Sequence, residues 1–529
     1  MKLHNRLRLA ALPLTASLLL NSCFWNRNSY DIRRFQDKAT VRKEFNTHLD
    51  LTKPQTGEHA VPEDFVWIGE AEDAELSGVV SVQSGDIENF HGRGYVGNFT
   101  GEEDTVMFTV TVPAGGMYNL SFDTAAIDSD KLNPVEVDGQ TVGTISTHKA
   151  KRFTESRLNG IYLSEGSHKI TAATDWGYYY VDRLTVTAGT QVPDAVYQLT
   201  APLCDEKAFD NSKRLYKFLC DCYGRYTITG QQCATGKNGT EMKLIHEQTG
   251  HFPALLGLDM ADYSPSCQEL GGTNDNAVGS AKDFYVNSGG IVTMCWSWIP
   301  PKQYLINNDE HPWYSGCRKE HTALRLDAIA DGSDAAGKAA LCADIDAICK
   351  AMEPLKEAQV PVLWRPLHEA SGGDYWWGDC KPESYLWLWN LLYDKMVREH
   401  GLHNLIWIWN GQDKDWYPGD STVDIVSTDI YAPAHCYSSQ CGAFQEMTKW
   451  TGTGKLIALS ENGVMPDPEY VQRDWAVWSW FCTAGGAFIH ENNLASENYT
   501  DFSMWDAVYQ SKDTLALDDL PCLWTYPLN

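Results

Sequence analysis

Two glutamates that follow apolar stretches are the residues in this chain best suited to chemistry. Glu369 lies in VLWRPLHEASGGDYWWG (residues 362–378), where an apolar, strand-like run ends in polar residues, a glycine-rich turn and three aromatics. Glu461 lies in KLIALSENG (residues 455–463), where a second apolar run ends in Ser, Glu and Asn. A carboxylate at the carboxyl end of a parallel strand stands on the rim of a barrel where active sites form. The alternative is an ordinary polar loop after a core strand.

Such a pair suits the retaining hydrolysis of a glycosidic bond. One carboxylic acid protonates the leaving oxygen while the other carboxylate attacks the anomeric carbon. Retention requires the two carboxyl groups to lie roughly 5–5.5 Å apart. We therefore expect the fold to bring Glu369 and Glu461 to the same barrel mouth.

These two stretches also carry a family resemblance. RPLHEASGG-YWWG and LSENG resemble the acid/base and nucleophile motifs of glycoside hydrolase family 26, the clan of retaining β-mannanases and their relatives, from about Leu203 to the end of the chain. The resemblance implies that Glu369 is the general acid/base, that Glu461 is the nucleophile, and that catalysis needs no cofactor. It also matches Asp429 and Tyr431 to family residues, and both are expected to lie in the substrate-binding site. Tyr431 would contact the carboxylate of the nucleophile and keep it ionised.

Further residues at strand ends are candidates for binding substrate. Arg365 is expected to fix a carboxylate in the barrel mouth. His368 either orients a sugar, which the resemblance favours, or packs within the barrel. Tryptophans at strand ends are expected to form walls that stack on sugar rings, with packing as the alternative. They are Trp296, Trp298, Trp376, Trp377, Trp407 and Trp409.

Three positions depart from the family pattern and leave the exact substrate open. Ser297 lies between Trp296 and Trp298 where the family has histidine, Asp374 replaces the first tryptophan of the aromatic shelf, and His490 stands where strand eight commonly ends in tryptophan. A negative charge beside a carboxyl disfavours its ionisation. We therefore expect Asp374 to help keep Glu369 protonated and to favour short or substituted chains.

Alternating helix and strand patterns after residue 202 predict one (β/α)8 TIM barrel over residues 202–529. Helical runs are expected over Lys338–Lys356 and Glu383–Glu399. The eight strands are expected at Tyr226–Gly230, Pro253–Leu258, Gly290–Cys295, Val360–Arg365, Leu405–Trp409, Ile425–Asp429, Leu456–Leu459 and Gly486–Ile489.

Residues 61–188 predict a separate all-β jelly-roll sandwich, because short alternating runs are separated by turns. WIGEAEDAEL (residues 67–76) and DWGYYYVDRLTV (residues 175–186) resemble carbohydrate-binding module family 35. The resemblance implies a structural calcium held by Glu70, Glu72 and Asp182, and carboxylate oxygens are suitable calcium ligands. The alternative is a pair of solvated glutamates on an edge strand. Trp176 is a candidate sugar platform, or else a core residue.

The amino-terminal residues predict export. Residues 1–23 combine a positive front, a short apolar segment and the sequence Leu-Asn-Ser-Cys, which resembles a lipobox with Cys23 as the lipidated residue. Ordinary cleavage with a free cysteine is the alternative. Residues 24–60 are expected to be a spacer, and residues 189–201 a linker. We expect a lipoprotein anchored through Cys23 to a bacterial membrane, with the outer membrane favoured and the face left open.

Charge and cysteine content narrow the partners. The formal net charge is −28, without any basic block, which argues against nucleic acid or an anionic membrane surface as a ligand.

Fourteen of the 15 cysteines lie between Cys204 and Cys522. Most are interpreted as buried thiols, and Cys436 and Cys441, which flank a short loop, are the pair best placed for a disulfide.

These observations predict a lipid-anchored retaining endo-β-1,4-mannanase that acts on mannan-type plant polysaccharides and carries a sugar-binding module. Two alternatives remain open. One is a family relative that cuts mixed-linkage β-glucan or β-xylan. The other is a catalytically inactive glycan-binding lipoprotein, against which the presence of both glutamates together with His368 and Tyr431 argues.

Overall fold

The computed structural model describes residues 49–53, 60–175, 177–199 and 202–528. The predicted export segment with Cys23, most of the predicted spacer, and Trp176 lie outside the described residues. In the part of the chain that is described, a β-sandwich precedes a closed barrel. The predicted fold class, an all-β sandwich followed by a (β/α)8 barrel, is thereby confirmed. No helix among these residues is both long enough and apolar enough to cross a membrane.

The sandwich consists of two antiparallel sheets. Its strands are β1 (Val66–Glu70), β2 (Glu75–Ser77), β3 (Ser81–Gln83), β4 (Tyr95–Gly97), β5 (Thr105–Val112), β6 (Gly116–Ala126), β7 (Lys131–Val137), β8 (Gln140–Thr147), β9 (Ala150–Leu163), β10 (Gly166–Ala172) and β11 (Tyr180–Ala188). One sheet has the order β3-β4-β11-β6-β9, with β1 paired to β11, and the other has the order β2-β5-β10-β7-β8. Because strand side chains alternate between two faces, β5 buries every second residue. The buried faces of both sheets form one core.

The carboxyl-terminal unit begins with α1 (Asp210–Cys222) and continues with β12 (Thr227–Ile228), β13 (Gly230–Gln232), α2 (Thr240–Thr249), β14 (Leu255–Asp259), α3 (Pro265–Glu269), α4 (Ala277–Asp283), β15 (Ile291–Cys295), α5 (Leu326–Ala330), α6 (Ala335–Glu357), β16 (Val362–Arg365), α7 (Pro382–Tyr393), β17 (Leu405–Trp409), β18 (Ile425–Ile430), α8 (Cys441–Met447), β19 (Leu456–Asn462), α9 (Pro468–Arg473), β20 (Phe481–Thr483), β21 (His490–Glu491), β22 (Leu494–Ala495), α10 (Phe502–Gln510) and β23 (Thr514–Leu515). Strands β13 to β20 pair in parallel and close the barrel in chain order.

Burial on both faces explains the sequences of the barrel strands. All five residues of β17, LIWIW, are buried, as expected for a parallel strand covered by the barrel interior and by helices. Helix α6 begins where Asp334 accepts a hydrogen bond from the backbone N–H of Gly337, and it buries Leu341, Ile345 and Ile348 against the barrel. These apolar surfaces hold the strand ends in fixed positions around the mouth.

The structure corrects the first and last predicted barrel strands. The barrel uses β13 and β20, whereas the sequence predicts strands at Tyr226–Gly230 and Gly486–Ile489. Strand β12 pairs instead with β23, and Gly486–Phe488 forms a 3₁₀ turn. Both barrel strands are only three residues long, so neighbouring apolar residues give the stronger pattern.

The predicted disulfide is also wrong. All cysteines from Cys204 to Cys522 are free thiols in the structure. Cys441 Sγ donates to the carbonyl oxygen of Asp474 at 3.5 Å, and Cys436 Sγ donates to Ser438 Oγ at 3.8 Å. Each thiol therefore has its own polar partner, and the two do not pair across the loop.

The sandwich packs against the side of the barrel through a glycine contact. A Cβ atom added to Gly442 in α8 would lie 2.4 Å from the carbonyl oxygen of Asn159, and one added to Gly160 in β9 would lie 2.9 Å from the amide nitrogen of Gly442. Beside this contact, the Arg473 guanidinium lies 4.4 Å from the ring centroid of Tyr162. A cavity of about 540 Å³ lies between the two units here.

Candidate active site

The candidate residues lie at the carboxyl ends of neighbouring barrel strands. Arg365 closes β16, and Glu369 lies in the turn that follows. Asp429 and Glu461 lie in the last residues of β18 and β19, and they face each other in the strand register. Because parallel strands end on one rim of the barrel, these four side chains share one mouth.

Arg365 is a buried cation that binds two carboxylates. Its Nη1 lies 2.5 Å from Asp429 Oδ2, and its Nη2 lies 2.7 Å from Glu461 Oε2. The planar guanidinium fork suits this double contact. The prediction that Arg365 fixes a carboxylate is confirmed. Its side chain is only 2 % exposed, so it acts on protein carboxylates and not directly on substrate.

Both oxygens of Glu461 have donors. Tyr431 Oη donates to Oε1, which is the contact that the family resemblance implied, while Arg365 donates to Oε2. Burial, together with the neighbouring Glu461 carboxylate, raises the pKa of Tyr431, so the phenol remains a donor across the working pH range. Two donors hold this carboxylate in one orientation, as an attacking nucleophile requires.

Asp429 supports this arrangement from behind. Its Oδ1 accepts from Ser460 Oγ at 2.7 Å and from Asn410 Nδ2 at 3.0 Å, while its Oδ2 binds Arg365. A buried carboxylate with this many partners is fully satisfied by the protein. The expectation that Asp429 binds substrate is therefore corrected: it positions Arg365.

Asn410 and Ser460 are functional residues that the sequence reasoning missed. Asn410 also receives the backbone N–H of Glu369 on its Oδ1 at 2.9 Å, so it connects the turn after β16 to the ends of β18 and β19. The signal was present, because Asn410 directly follows the apolar strand β17 and Ser460 directly precedes Glu461. The rule that selected the glutamates, a polar residue at a strand end, applies to both.

Glu369 occupies an environment that favours its protonated form. Burial raises the pKa of its carboxyl to about 7, the negative charge of Asp429 adds to the rise, and the cation of Arg365 opposes it. Its backbone is in the left-handed region (φ 52°), which is sparsely populated by non-glycine residues and recurs at functional sites. The backbone N–H donates to the carbonyl oxygen of Asn410 at 2.8 Å, which holds this conformation.

His368 packs beneath the aromatic shelf. Its ring centroid lies 4.7 Å from that of Tyr375 and 5.4 Å from that of Trp377, and the residue is buried. Burial, and secondarily the charge of Arg365, lowers its pKa well below the usual range, so the ring is neutral. The packing alternative therefore describes His368 better than sugar binding does.

The predicted tryptophan walls are core packing. The six strand-end tryptophans are all fully buried: Trp296, Trp298, Trp376, Trp377, Trp407 and Trp409. Trp296 and Trp298 stack on each other with centroids 4.0 Å apart. Trp376 Nε1 donates to the carbonyl oxygen of Trp298, and Trp377 Nε1 donates to that of His368, both at 2.8 Å. A ring with both faces covered offers no stacking surface to a sugar, so the binding role predicted for these residues is wrong.

The three residues that depart from the family pattern have different surroundings. Ser297 Oγ donates to Asp259 Oδ2 at 2.6 Å, and His490 Nε2 lies 3.6 Å from Glu241 Oε1. Asp374 is exposed, and it is not among the charges that raise the pKa of Glu369. The expectation that Asp374 keeps Glu369 protonated is therefore wrong, because burial and Asp429 have that effect.

The sandwich contains carboxylates suited to a cation. Glu70 Oε2 and Glu72 Oε2 are buried without a hydrogen-bond partner in the described residues. Burial, and then the charges of Asp182 and Glu72, raise the pKa of Glu70. A divalent cation would satisfy these orphaned oxygens, so the residues fit calcium. The structure also places His91 and Asp123 beside Asp182, with ligand atoms within 4.8 Å of one another; the sequence reasoning missed both.

Comparisons with known proteins agree with this architecture. Residues 204–518 match the model of glycosyl hydrolase family 26, and residues 67–189 match that of carbohydrate binding module family 35. A mannan endo-1,4-β-mannosidase of Thermothelomyces thermophilus is 38% identical over 452 residues, which cover 85% of this chain and 90% of that protein. Mannan endo-1,4-β-mannosidase B of a Piromyces species is 32% identical, over 85% of this chain and 77% of that protein.

Solved structures resemble this chain over both units or over a part of it. A Podospora anserina GH26-CBM35 β-(1,4)-mannanase superimposes with a TM-score of 0.59 at 35% identity, covering 86% of this chain and 98% of that one. A β-mannanase from a symbiotic protist of the termite Reticulitermes speratus, complexed with gluco-manno-oligosaccharide, has a TM-score of 0.54 at 28% identity and covers 61% of this chain and 98% of that one. The chain therefore belongs to glycosyl hydrolase family 26 and carries a family 35 carbohydrate-binding module.

Proposed function

We propose that this glycoside hydrolase is a retaining endo-β-1,4-mannanase. The two relatives described above are named as mannan endo-1,4-β-mannosidases, and the protist structure holds a gluco-manno-oligosaccharide. The observation that carries the proposal is the contrast between the two strand-end glutamates. The pKa of Glu369 is raised to about 7, whereas the two carboxylate oxygens of Glu461 accept hydrogen bonds from a guanidinium and a phenol. One suits an acid and the other an anionic nucleophile.

The reaction proceeds by double displacement. Glu369 gives its proton to the glycosidic oxygen as the bond from the anomeric carbon to that oxygen breaks, and a Glu461 oxygen forms a bond to the anomeric carbon. The shortened chain leaves with the proton. Ionised Glu369 then takes a proton from water, whose oxygen attacks the same carbon and releases Glu461 as a carboxylate. Arg365 and Tyr431 keep Glu461 in place during both steps.

Product analysis tests the substrate and the stereochemistry together. Chromatography of the products measures which polysaccharides are cut. We expect rapid cleavage inside linear β-1,4-mannan and little cleavage of β-glucan or β-xylan. Proton NMR early in the reaction should show the β-anomer at the new reducing end. Initial release of the α-anomer would contradict retention, and preferential cleavage of glucan or xylan would contradict the mannanase assignment.

For the sandwich we propose a structural calcium held by Glu70, Glu72 and Asp182. A cation that binds only the folded state stabilises it, by roughly 2.7 kcal/mol at a hundredfold excess over Kd. Calorimetry of the full chain should therefore show a melting transition that rises with calcium and falls with chelator. Glu70→Gln should abolish that difference. A transition that ignores both calcium and chelator would contradict the site.

We also propose that the module holds the enzyme on polysaccharide and that Cys23 anchors it to a membrane. Sequence resemblance supports both proposals, with Trp176 as the platform residue. Binding to insoluble mannan should weaken in Trp176→Ala.

Cys23→Ser should move the enzyme from the membrane fraction to the soluble fraction of the producing cell, and unchanged fractionation would contradict the anchor.

A further inference from the structure

The shelf beside Glu369 does not present an aromatic face to the cleft. Tyr375 stacks in parallel on Trp377, with ring centroids 4.6 Å apart and an angle of 4° between the planes. The Arg318 guanidinium lies over the Tyr375 ring, 4.5 Å from its centroid. Tyr375 therefore has one face against Trp377 while a guanidinium lies over its ring. The exposed group at the top of this stack is Arg318.

The loop that carries Arg318 is held firmly against the shelf. Backbone hydrogen bonds run from Trp376 N to Cys317 O at 3.1 Å and from Lys319 N to Asp374 O at 3.0 Å, and Arg318 forms a β-bridge with Tyr375. Since the backbone on both sides is paired, the guanidinium has a defined position. Its charge acts on both Glu369 and His368, which places it at the same mouth as the catalytic pair.

Arg318 has no partner for its N–H groups among the residues that the structure describes. Among the described residues, its guanidinium takes part in no ion pair or side-chain hydrogen bond, and its contact is the ring of Tyr375. This is unexpected in a chain of net charge −28, where carboxylates are plentiful. A guanidinium carries five donors and no acceptor. Placed over the Tyr375 ring and without a partner among the described residues, it can donate to oxygen atoms of a bound sugar.

We propose that Arg318 is a specificity-determining residue, which donates hydrogen bonds from its guanidinium edge to hydroxyl oxygens of the mannan chain at the sugar next to Glu369. This inference rests on the proposed function. The predicted aromatic shelf thus becomes a hydrogen-bonding shelf, with Tyr375 and Trp377 as its support. Arg318 differs in this from Arg365, which is buried and acts only on protein carboxylates.

The position of Arg318 also affects the pKa of Glu369. The groups that act on Glu369 are Asp429 and Glu461, which raise its pKa, and Arg365 and Arg318, which lower it. Loss of the Arg318 cation therefore raises the pKa of Glu369. Since the acid must be protonated to act, the alkaline limb of the activity profile then moves to higher pH. An arginine that lies away from the mouth, such as Arg398, would leave that limb where it is.

The test uses the full chain with Arg318→Ala, Arg318→Lys and a matched control, Arg398→Ala. Arg398 also lies over a tyrosine ring, that of Tyr393 at 5.8 Å, but it pairs with Asp394 on the helical surface.

Steady-state kcat and KM are measured on mannohexaose from pH 4 to 9. We expect Arg318→Ala to raise KM by roughly 10- to 150-fold, as for a lost hydrogen bond to a charged group, and to shift the alkaline limb upward. Arg318→Lys keeps the charge without the planar fork. It should therefore leave the alkaline limb of the pH profile unchanged and reverse only part of the increase in KM. Arg398→Ala should match wild type.

Binding separates this inference from the proposed function. Mannohexaose is titrated calorimetrically into Glu369→Gln with and without Arg318→Ala, so the result does not depend on turnover. Inactive wild type contradicts the proposed function, whereas active wild type with unchanged KM and affinity in Arg318→Ala contradicts the inference alone. An equal loss in Arg398→Ala would also overturn it, because surface charge in general would then be the cause.

Discussion

Glu369 and Glu461 show how the same residue type takes two roles. Glu369 is half-buried, and its backbone N–H, not its carboxyl, is hydrogen-bonded to Asn410. Glu461 receives donors on both carboxyl oxygens. Burial without donors favours the neutral acid, and donors favour the anion. The division of roles therefore follows from the surroundings of each carboxyl group.

Removing either glutamate should lower turnover strongly. We expect Glu369→Ala and Glu461→Ala each to reduce kcat by at least ~10²–10⁴-fold, the range for loss of an acid/base group. Azide should partly restore Glu369→Ala on substrates with a good leaving group, because Glu461 still forms the glycosyl-enzyme. Glycosyl azide of retained configuration is the diagnostic product. Near wild-type activity in either variant would contradict the assignment.

We expect the raised pKa of Glu369 to set the alkaline limit of activity. Glu369 must be protonated to act as the acid, and its pKa is about 7. We therefore expect kcat/KM on mannohexaose to fall as pH rises through about 7, with a slope of one proton. A profile that stays flat from pH 6 to 9 would mean that another group supplies the proton.

At the scale of elements, a buried carboxyl joins α6 to the end of β15. Trp298 Nε1 donates to Asp344 Oδ2 at 2.8 Å, and both side chains are buried. Burial raises the pKa of Asp344 to about 7, although the hydrogen bond from Trp298 opposes it. The folded state thus holds a proton on Asp344 that the unfolded chain releases above about pH 4. Stability therefore falls as pH rises from about 4 to 7.

Asp344→Asn should remove this loss of stability. The amide oxygen still accepts from Trp298 and stays neutral at every pH, so we expect little change near pH 4 and a more stable protein at pH 8. The gain is a few kcal/mol at most, because each pKa unit corresponds to about 1.4 kcal/mol. Denaturant unfolding at both pH values measures it. Asp346→Asn is the control: Asp346 pairs with Lys395 and has a lowered pKa, so its loss should destabilise the protein slightly. An Asp344→Asn protein less stable than wild type at pH 8 would contradict this account.

At the scale of the whole molecule, the two units are docked and not merely tethered. The Gly160–Gly442 contact lets backbones approach more closely than any side chain permits. Tyr470 Oη donates across the interface to Gln140 Oε1 at 2.9 Å. The Arg473 guanidinium lies between two rings, 4.4 Å from Tyr162 on the sandwich and 4.2 Å from Tyr470 on the barrel. The module therefore keeps one orientation relative to the barrel.

Gly160→Ala should release the module from the barrel. The added Cβ would lie 2.9 Å from the Gly442 amide nitrogen, at a backbone φ of +66°. We expect a larger radius of gyration in solution scattering and faster proteolysis within residues 189–201, with kcat on mannohexaose unchanged. Gly139→Ala is matched for backbone strain, at φ +80°, but meets nothing within 4 Å, so it should scatter like wild type. An unchanged radius of gyration in Gly160→Ala would contradict rigid docking.

The fold class and the family could be predicted from the residues alone, and so could the position of Glu369 and Glu461 at strand ends. Strand alternation, helical periodicity and polar residues after apolar runs are local patterns, so they survive without coordinates. Six of the central barrel strands, such as Leu405–Trp409, were predicted within a few residues for this reason. The three-residue strands β13 and β20 were not, because their pairing depends on the closure of the barrel.

The contacts of each side chain could not be predicted from the sequence, because they depend on how the barrel closes. A tryptophan at a strand end has the same sequence signal whether its ring faces a sugar or the core, and here burial made all six strand-end rings core residues. Asp374 is five residues from Glu369 in the chain. The negative charge that most raises the pKa of Glu369 nevertheless comes from Asp429, which is 60 residues away. Arg318 reaches Tyr375 across 57 residues. Electrostatic and stacking interactions depend on distance in space, which the closed barrel sets and the order of residues does not.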